Sequence, residues 1–360
     1  MSQPNPEPVT NTDGSNASPV KATRSNRNIL HNLFSSREFS VVLVLMVLCF
    51  GMALAGPDIR SRFFGSQNLH NVMLQIALLG IFAIGETLVI ITGGIDLSLG
   101  SLIAFTGMIM ALFVNKFSAA PGTAFGLLLA LLLTLVVAML IGSLHATLVH
   151  KIRLPPFVVT LASLLILRSQ SLLVHNQLPI SIAEYPAIVY LANGALFKDT
   201  WYAIPIPVII LAVIAVAVSI ALNKLRVGRY LYSLGSNEQA TLLSGVNVYK
   251  VKLFAYGVSA ILGGIAGILW ASYGNQGDPG AASAYELDAV AAAVVGGANL
   301  AGGQGSVAGT ILGAALLHFI FSAINLTLPN PDQWRGTIVG GVLLFAVLVT
   351  ALQQRRRTAH

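Results

Sequence analysis

Between residue 40 and residue 352 the chain is a succession of apolar runs, most of them close to 20 residues long, with short polar stretches between. About 20 apolar residues in a helix cover the hydrocarbon core of a bilayer. Ten segments qualify or nearly qualify, near 40–56, 72–92, 97–115, 122–149, 156–175, 201–222, 252–273, 287–301, 305–326 and 336–352. The eighth is short. Only 9% of the 360 residues are charged, against roughly a quarter in soluble domains. So few charges cannot cover a soluble surface of this size. The expected fold is an all-α polytopic membrane protein of about 10 transmembrane helices set in the lipid bilayer.

Lysine and arginine set the orientation. With the N-terminus in the cytoplasm, 14 of them fall inside (Lys21, Arg24, Arg27, Arg37, Lys151, Arg153, Lys224, Arg226, Arg229, Lys250, Lys252, Arg355, Arg356 and Arg357) and 5 outside (Arg60, Arg62, Lys116, Lys198 and Arg335). Both termini are therefore expected in the cytoplasm. The excess of positive charge lies between apolar segments and at the ends, so nucleic acid is not an expected partner. Residues 1–34 read as a disordered cytoplasmic tail, 35–352 as the transmembrane domain and 353–360 as a basic cytoplasmic tail. The two long polar stretches are 176–200, facing out, and 223–251, facing in. Cys49 is the single cysteine, so no intrachain disulfide can form.

Two apolar runs are interrupted. The first contains "TGGIDLSLGS", Thr92 to Ser101. Backbone polar groups cannot go unsatisfied in lipid. A break at Gly93 and Gly94 must therefore be buried in protein or line a cavity. Asp96, followed by Leu97 and Ser98, has the pattern of an N-cap for the next helix; a direct ligand role is the alternative. The second is "AAAVVGGANLAGGQGSVAGTILGAALL", where Gly296 and Gly297 precede Asn299. Paired interruptions in two halves mark transporters built from repeats. Gly305, Gly309 and Gly313 stand at four-residue spacing, which suits close helix packing. Gly303, Gly305 and Ala308 also match a dinucleotide fingerprint, but no βαβ context surrounds them.

Glu86 lies inside the second span, where a carboxylate faces a cavity or a partner. A polar pathway and a buried pair with Arg168 are both open. His145 and His318 are isolated imidazoles, and no spacing suggests a metal site; no cofactor is expected. In the inner stretch, Ser236 or Asn237 can cap a two-turn helix over Glu238 to Leu243, with Gly245 stopping it. So short a helix must pack against something, as a docking element or as an interfacial connector.

Four stretches then carry a family resemblance: "LVIITGGIDLSLGS", "LPPFVVTL" at 154–161, "LGSNEQATLLSGVNVYKVK" and "YELDAVAAAVVGGANLAGGQGSVAGTILGA". Over roughly residues 35–352 the sequence resembles the sugar-type permeases of bacterial ATP-binding-cassette importers, the group that includes the ribose permease. Glu86 departs from that pattern, which has an uncharged residue there. The resemblance implies a non-enzymatic transport subunit of the inner membrane. Its partners would be a cytoplasmic ATP-binding subunit, a second permease copy in a homo- or heterodimer, and a periplasmic sugar-binding protein. It makes residues 235–246, with Gly235, Ser236, Asn237, Glu238, Ala240, Ser244, Gly245 and Val246, the helix that docks in the ATPase. It makes Gly93, Gly94, Asp96, Ser98, Gly296, Gly297 and Asn299 the interrupted pore region, with Glu86, Asn299 and Arg168 as candidate cavity residues. The outward stretches 176–200 and 274–286 become candidates for binding-protein docking. Rival readings are a branched-chain amino acid permease of the same superfamily, and an ion-coupled secondary transporter using Glu86 and Asp96. An intramembrane enzyme lacks any interpretable catalytic constellation.

Overall fold

A computed structural model describes residues 37–117, 124–197, 200 and 203–358. The tail expected at 1–34 lies outside the described residues, as do Lys198 and Asp199. The described chain is helical almost throughout. In order it has α1 (Arg37–Leu54), α2 (Pro57–Phe63), α3 (Ser66–Ile91), α4 (Leu99–Phe117), α5 (Ala124–His150), α6 (Pro156–Leu173), α7 (Pro186–Asn193), α8 (Ile206–Asn223), α9 (Arg226–Ser236), α10 (Glu238–Leu243), α11 (Val248–Gly274), α12 (Tyr285–Val295), α13 (Val307–Thr327) and α14 (Pro331–Thr358). Four two-residue strands form two antiparallel pairs: β1 (Ile180–Ser181) with β4 (Gln276–Gly277), and β2 (Ala195–Leu196) with β3 (Ile204–Pro205).

Among the described residues, seven helices are long and apolar enough to cross a membrane: α3, α4, α5, α6, α8, α11 and α13. The other three expected spans correspond to α1, α12 and α14. Of these, α12 has 11 residues, about 16 Å at 1.5 Å per residue, which is half a hydrocarbon core. The expected span at 287–301 is therefore a half-helix followed by loop. Helix α14 runs on past residue 352, where the basic tail was expected to begin.

The packing follows from where apolar side chains have nothing polar beside them. Every residue from Ala77 to Thr92 is buried. A helix apolar on all sides belongs at the centre of a bundle, and α8, α11, α12 and α13 all pack on α3. Helix α11 also packs on α4 and α5. Its seam with α5 is made of small residues, Ala130, Thr134, Ala138, Gly142 and Ala146. At Gly142 a Cβ would run into the Tyr256 carbonyl oxygen, the close backbone approach that small residues permit in membranes. The opposite side of α5 exposes Leu128, Leu132, Val136, Leu140 and Leu144, one every fourth residue. That ridge suits lipid.

Candidate functional site

The two interruptions end their helices in the same way. After α3, Gly93 has φ +82°. Its N–H donates to the Ile90 carbonyl at 2.9 Å, and the Gly94 N–H donates to Val89 at 3.1 Å. After α12, Gly297 has φ +99°. Its N–H donates to Val294 at 3.0 Å, and the Ala298 N–H donates to Ala293 at 2.9 Å. Both are Schellman caps, which need a left-handed residue that glycine adopts without a Cβ clash. The two glycine pairs are offset by one position, because Thr92 closes α3 whereas Gly296 itself closes α12. That offset is why the two motifs look only slightly alike when their glycines are aligned.

Beyond the caps the segments converge with the polar connector. The Gly303 N–H donates to the Ile91 carbonyl at 2.9 Å, which joins the second break to the end of α3. Gly235, the penultimate residue of α9, fits against both: a Cβ there would overlap the Ile91 oxygen and come within 2.5 Å of the Gly303 nitrogen. A Cβ on Gly302 would stand 3.0 Å from the Gly93 nitrogen. The Tyr232 hydroxyl, one turn back in α9, donates to the Gly305 carbonyl at 2.9 Å. Burial pushes that hydroxyl up from its ordinary pKa, so it remains a donor. Asn299 staples its own loop, its Oδ1 accepting from the Ala301 N–H at 3.1 Å and its N–H donating to Gln304. Gly309 and Gly313 press against the backbone of Gly296 and Ala292, while Gly305 lies before the helix that holds the other two.

The connector carries two helices where one short helix was expected. Helix α9 buries Gly228, Leu231 and Leu234 and holds Gly235 and Ser236, which were assigned to the docking helix. They are the last two residues of α9. The short helix expected over Glu238 to Leu243 is α10. The Asn237 Oδ1 accepts from the Ala240 N–H at 2.9 Å as N-cap. Ser244 is the C-cap, and Gly245 follows at φ +79°. Glu238 pairs with Lys252 of α11 at 2.8 Å, tying α10 to the bundle. Val246 packs at the edge of the core. Beside α10 opens a cleft of about 740 Å³ whose walls include Gly94, His150, Arg153, Pro155, Lys252 and Tyr256. Neither Glu86 nor Asn299 is among its lining residues.

Two leucines of α10 lie within the helix expected over Glu238 to Leu243 but were not named among its docking residues. Leu242 and Leu243 are 58% and 82% exposed, at the tip of the helix. Two leucines at the end of a short capped helix in a polar stretch were the available signal.

Glu86 and Arg168 are not partners. Both Glu86 oxygens accept the Asp96 N–H, at 3.1 and 3.3 Å. The guanidinium of Arg168 donates to the carbonyls of Pro279 and Ala281, at 3.0 and 2.8 Å. Asp96 does not cap α4 directly. Its Oδ1 accepts the Ser98 N–H at 3.0 Å and the Ser98 hydroxyl at 2.6 Å, and Ser98 supplies the first carbonyl of the helix, to Leu102. The carboxylate therefore acts one step earlier than the sequence suggests, on the turn that leads in.

At the far end of α11, about 40 Å away along a 27-residue helix, the two stretches expected to face out form one surface. Strand β1 from 176–200 pairs with β4 from 274–286 through Ile180–Gly277 and Ser181–Gln276. Ile182, Tyr185 and Ile188 pack below them on Met108, Ala111 and Ala271.

The family described as "Branched-chain amino acid transport system / permease component" matches residues 68–348. The ribose import permease protein of Escherichia coli (strain K12) is 36% identical over 323 residues, 88% of this chain and 94% of its own length. The corresponding protein of Haemophilus influenzae is 34% identical over 333 residues, 91% of this chain and 97% of its own. The fructose import permease protein of Rhizobium meliloti is 30% identical over 313 residues, 86% of this chain and 83% of its own. No solved structure matches.

Proposed function

Because the chain belongs to the permease-component family of branched-chain amino acid and related transport systems, we propose that it is the transmembrane permease subunit of an ATP-binding-cassette importer of the inner membrane, and that its cargo is a monosaccharide. The sugar class rests on the relatives named for ribose and fructose import. Ten crossings, with the half-helix α12 counted as one, put both termini in the cytoplasm. ATP is hydrolysed by a separate subunit, and a second permease, identical or related, completes the pore. A periplasmic binding protein delivers sugar to the β1–β4 surface.

One observation supports the mechanism above the rest. Helix α10, with its exposed Leu242 and Leu243, sits beside a junction where α9 and both interrupted segments touch through Gly235, Gly302, Gly303 and the end of α3. A push on α10 from an ATPase that closes on ATP reaches both breaks at once, with the Glu238–Lys252 pair carrying it to α11. Schellman-capped ends connected by loop can change angle where a continuous helix cannot. Alternating access then consists of the two breaks shifting together.

The test is co-purification of the tagged full chain in mild detergent, with sugar uptake measured in the same cells. Wild type brings down an ATPase subunit. Leu242→Asp with Leu243→Asp loses that subunit and at least 90% of uptake while membrane expression holds, since neither side chain is buried. A wild-type chain that supports uptake with no ATPase attached overturns the reading.

A further inference from the structure

Two carboxylates meet at the first break with almost no access to water. Glu86 is 0% and Asp96 1% exposed, and the Asp96 N–H sits between the oxygens of Glu86. The ion pairs found among the described residues are Asp58–Arg62, Glu238–Lys252 and Asp288–Arg335. None involves either acid. The titratable groups that act on the pair are Tyr256 from α11 and His145 from α5. Lys252, one turn before Tyr256, is committed to Glu238. From α13 comes Thr310, whose hydroxyl bonds Thr87 at 2.6 Å beside Glu86.

The polar atoms around the pair are short of partners. Asp96 Oδ2, Tyr256 Oη and Ser259 Oγ are all buried without one. Tyr256 Oη stands 2.5 Å from where a Cβ of Gly94 would be, and Ser259 lies against Gly85, next to Glu86. Two carboxylates joined through the backbone N–H of one of them, in a medium that solvates neither, do not both stay ionised.

We propose that the Glu86–Asp96 pair binds one resident proton, carried on Glu86, and that the joined arrangement of α3 and α4 depends on it. Two donors from Ser98 already serve one oxygen of Asp96. Glu86 has one shared backbone N–H and takes the proton. Gly94 and Tyr256 line the wall of the inner cleft, so the path from the pair to water runs past them. Movement of residues 93–98 would withdraw the Asp96 N–H, admit water and release the proton. The described arrangement is stabilised at neutral pH and loosens once the medium is alkaline enough to strip Glu86. This holds whatever cargo the protein moves.

The test is infrared spectroscopy of the full-length protein in lipid nanodiscs in heavy water, at about pH 7, far above the ordinary glutamic acid value of about 4.3. The expected result is a protonated-carboxyl carbonyl band that disappears in Glu86→Gln and fades in wild type on alkaline titration. Asp96→Asn, which removes the neighbouring charge, shifts that fading to lower pH and serves alone where Glu86→Gln does not fold. A wild type without the band overturns the proposal. So does a band that persists in Glu86→Gln, or a titration that Asp96→Asn leaves in place.

Discussion

At the residue scale, the tightest constraint falls on Gly235. It has no room for one methyl group, because the obstructing atoms are the Ile91 carbonyl and the Gly303 nitrogen, both backbone. Gly235→Ala is expected to destabilise by about 1–3 kcal/mol or more, the range for overpacking where neighbours cannot repack. A lower melting temperature of the detergent-purified protein is the measurement, and an unchanged one means that α9 does not press on the breaks. Asp96→Ala leaves the Ser98 N–H and hydroxyl without their acceptor and costs about 1–2 kcal/mol on the same scale; Asp96→Asn, which keeps an oxygen, costs less. The local chemistry of Asn237 and Gly245 was legible, because a cap and a stop are read from adjacent residues. The contacts of Gly235 were not, since they depend on residues more than 60 and 140 positions away in the chain. The same reason separates Glu86 from Arg168: depth in a span says that a charge needs company and does not say which.

At the element scale, helix α9 was missed. Its buried positions Gly228, Leu231 and Leu234 follow helical spacing, with Leu231 and Leu234 in the core, but Arg226, Arg229 and Gly228 within four residues disguise it as loop. The outer stretches were expected as two separate segments, and their pairing through β1 and β4 is set by two residues on each side, too little for a pattern. Arg168 braces this surface by holding two carbonyls of the 279–281 turn. Arg168→Met removes both donors. The expected outcome is roughly tenfold faster amide exchange at Ala281 and across the β1–β4 pair, the loss of about 1.4 kcal/mol of local stability. Amides of α10, at the other end of α11, keep their rates. Equal loosening at both ends means that Arg168 supports the whole bundle and not one strap.

At the scale of the whole molecule, the apolar runs announced a membrane protein, and the centre of the bundle was less visible than its edges. Helix α3 reads as a span like any other, yet it is the one enclosed by its neighbours. The proposed orientation rests on the charge asymmetry and is open to direct test. In a Cys49→Ser background, Ser283→Cys is expected to react with an impermeant maleimide in intact cells, and Gln239→Cys only after permeabilisation; the reverse pattern inverts the topology. The pairing of Ile180 with Gly277, and of Ile91 with Gly303, also bears on how the protein is made. At each end of the bundle the closing contact waits for a residue from the last quarter of the chain. As the polypeptide leaves the ribosome, its first five long helices can enter the bilayer with neither end secured. Synthesis up to α12 and its loop then closes both, so a product truncated just after α11 emerges with every earlier helix in place and both ends unlatched.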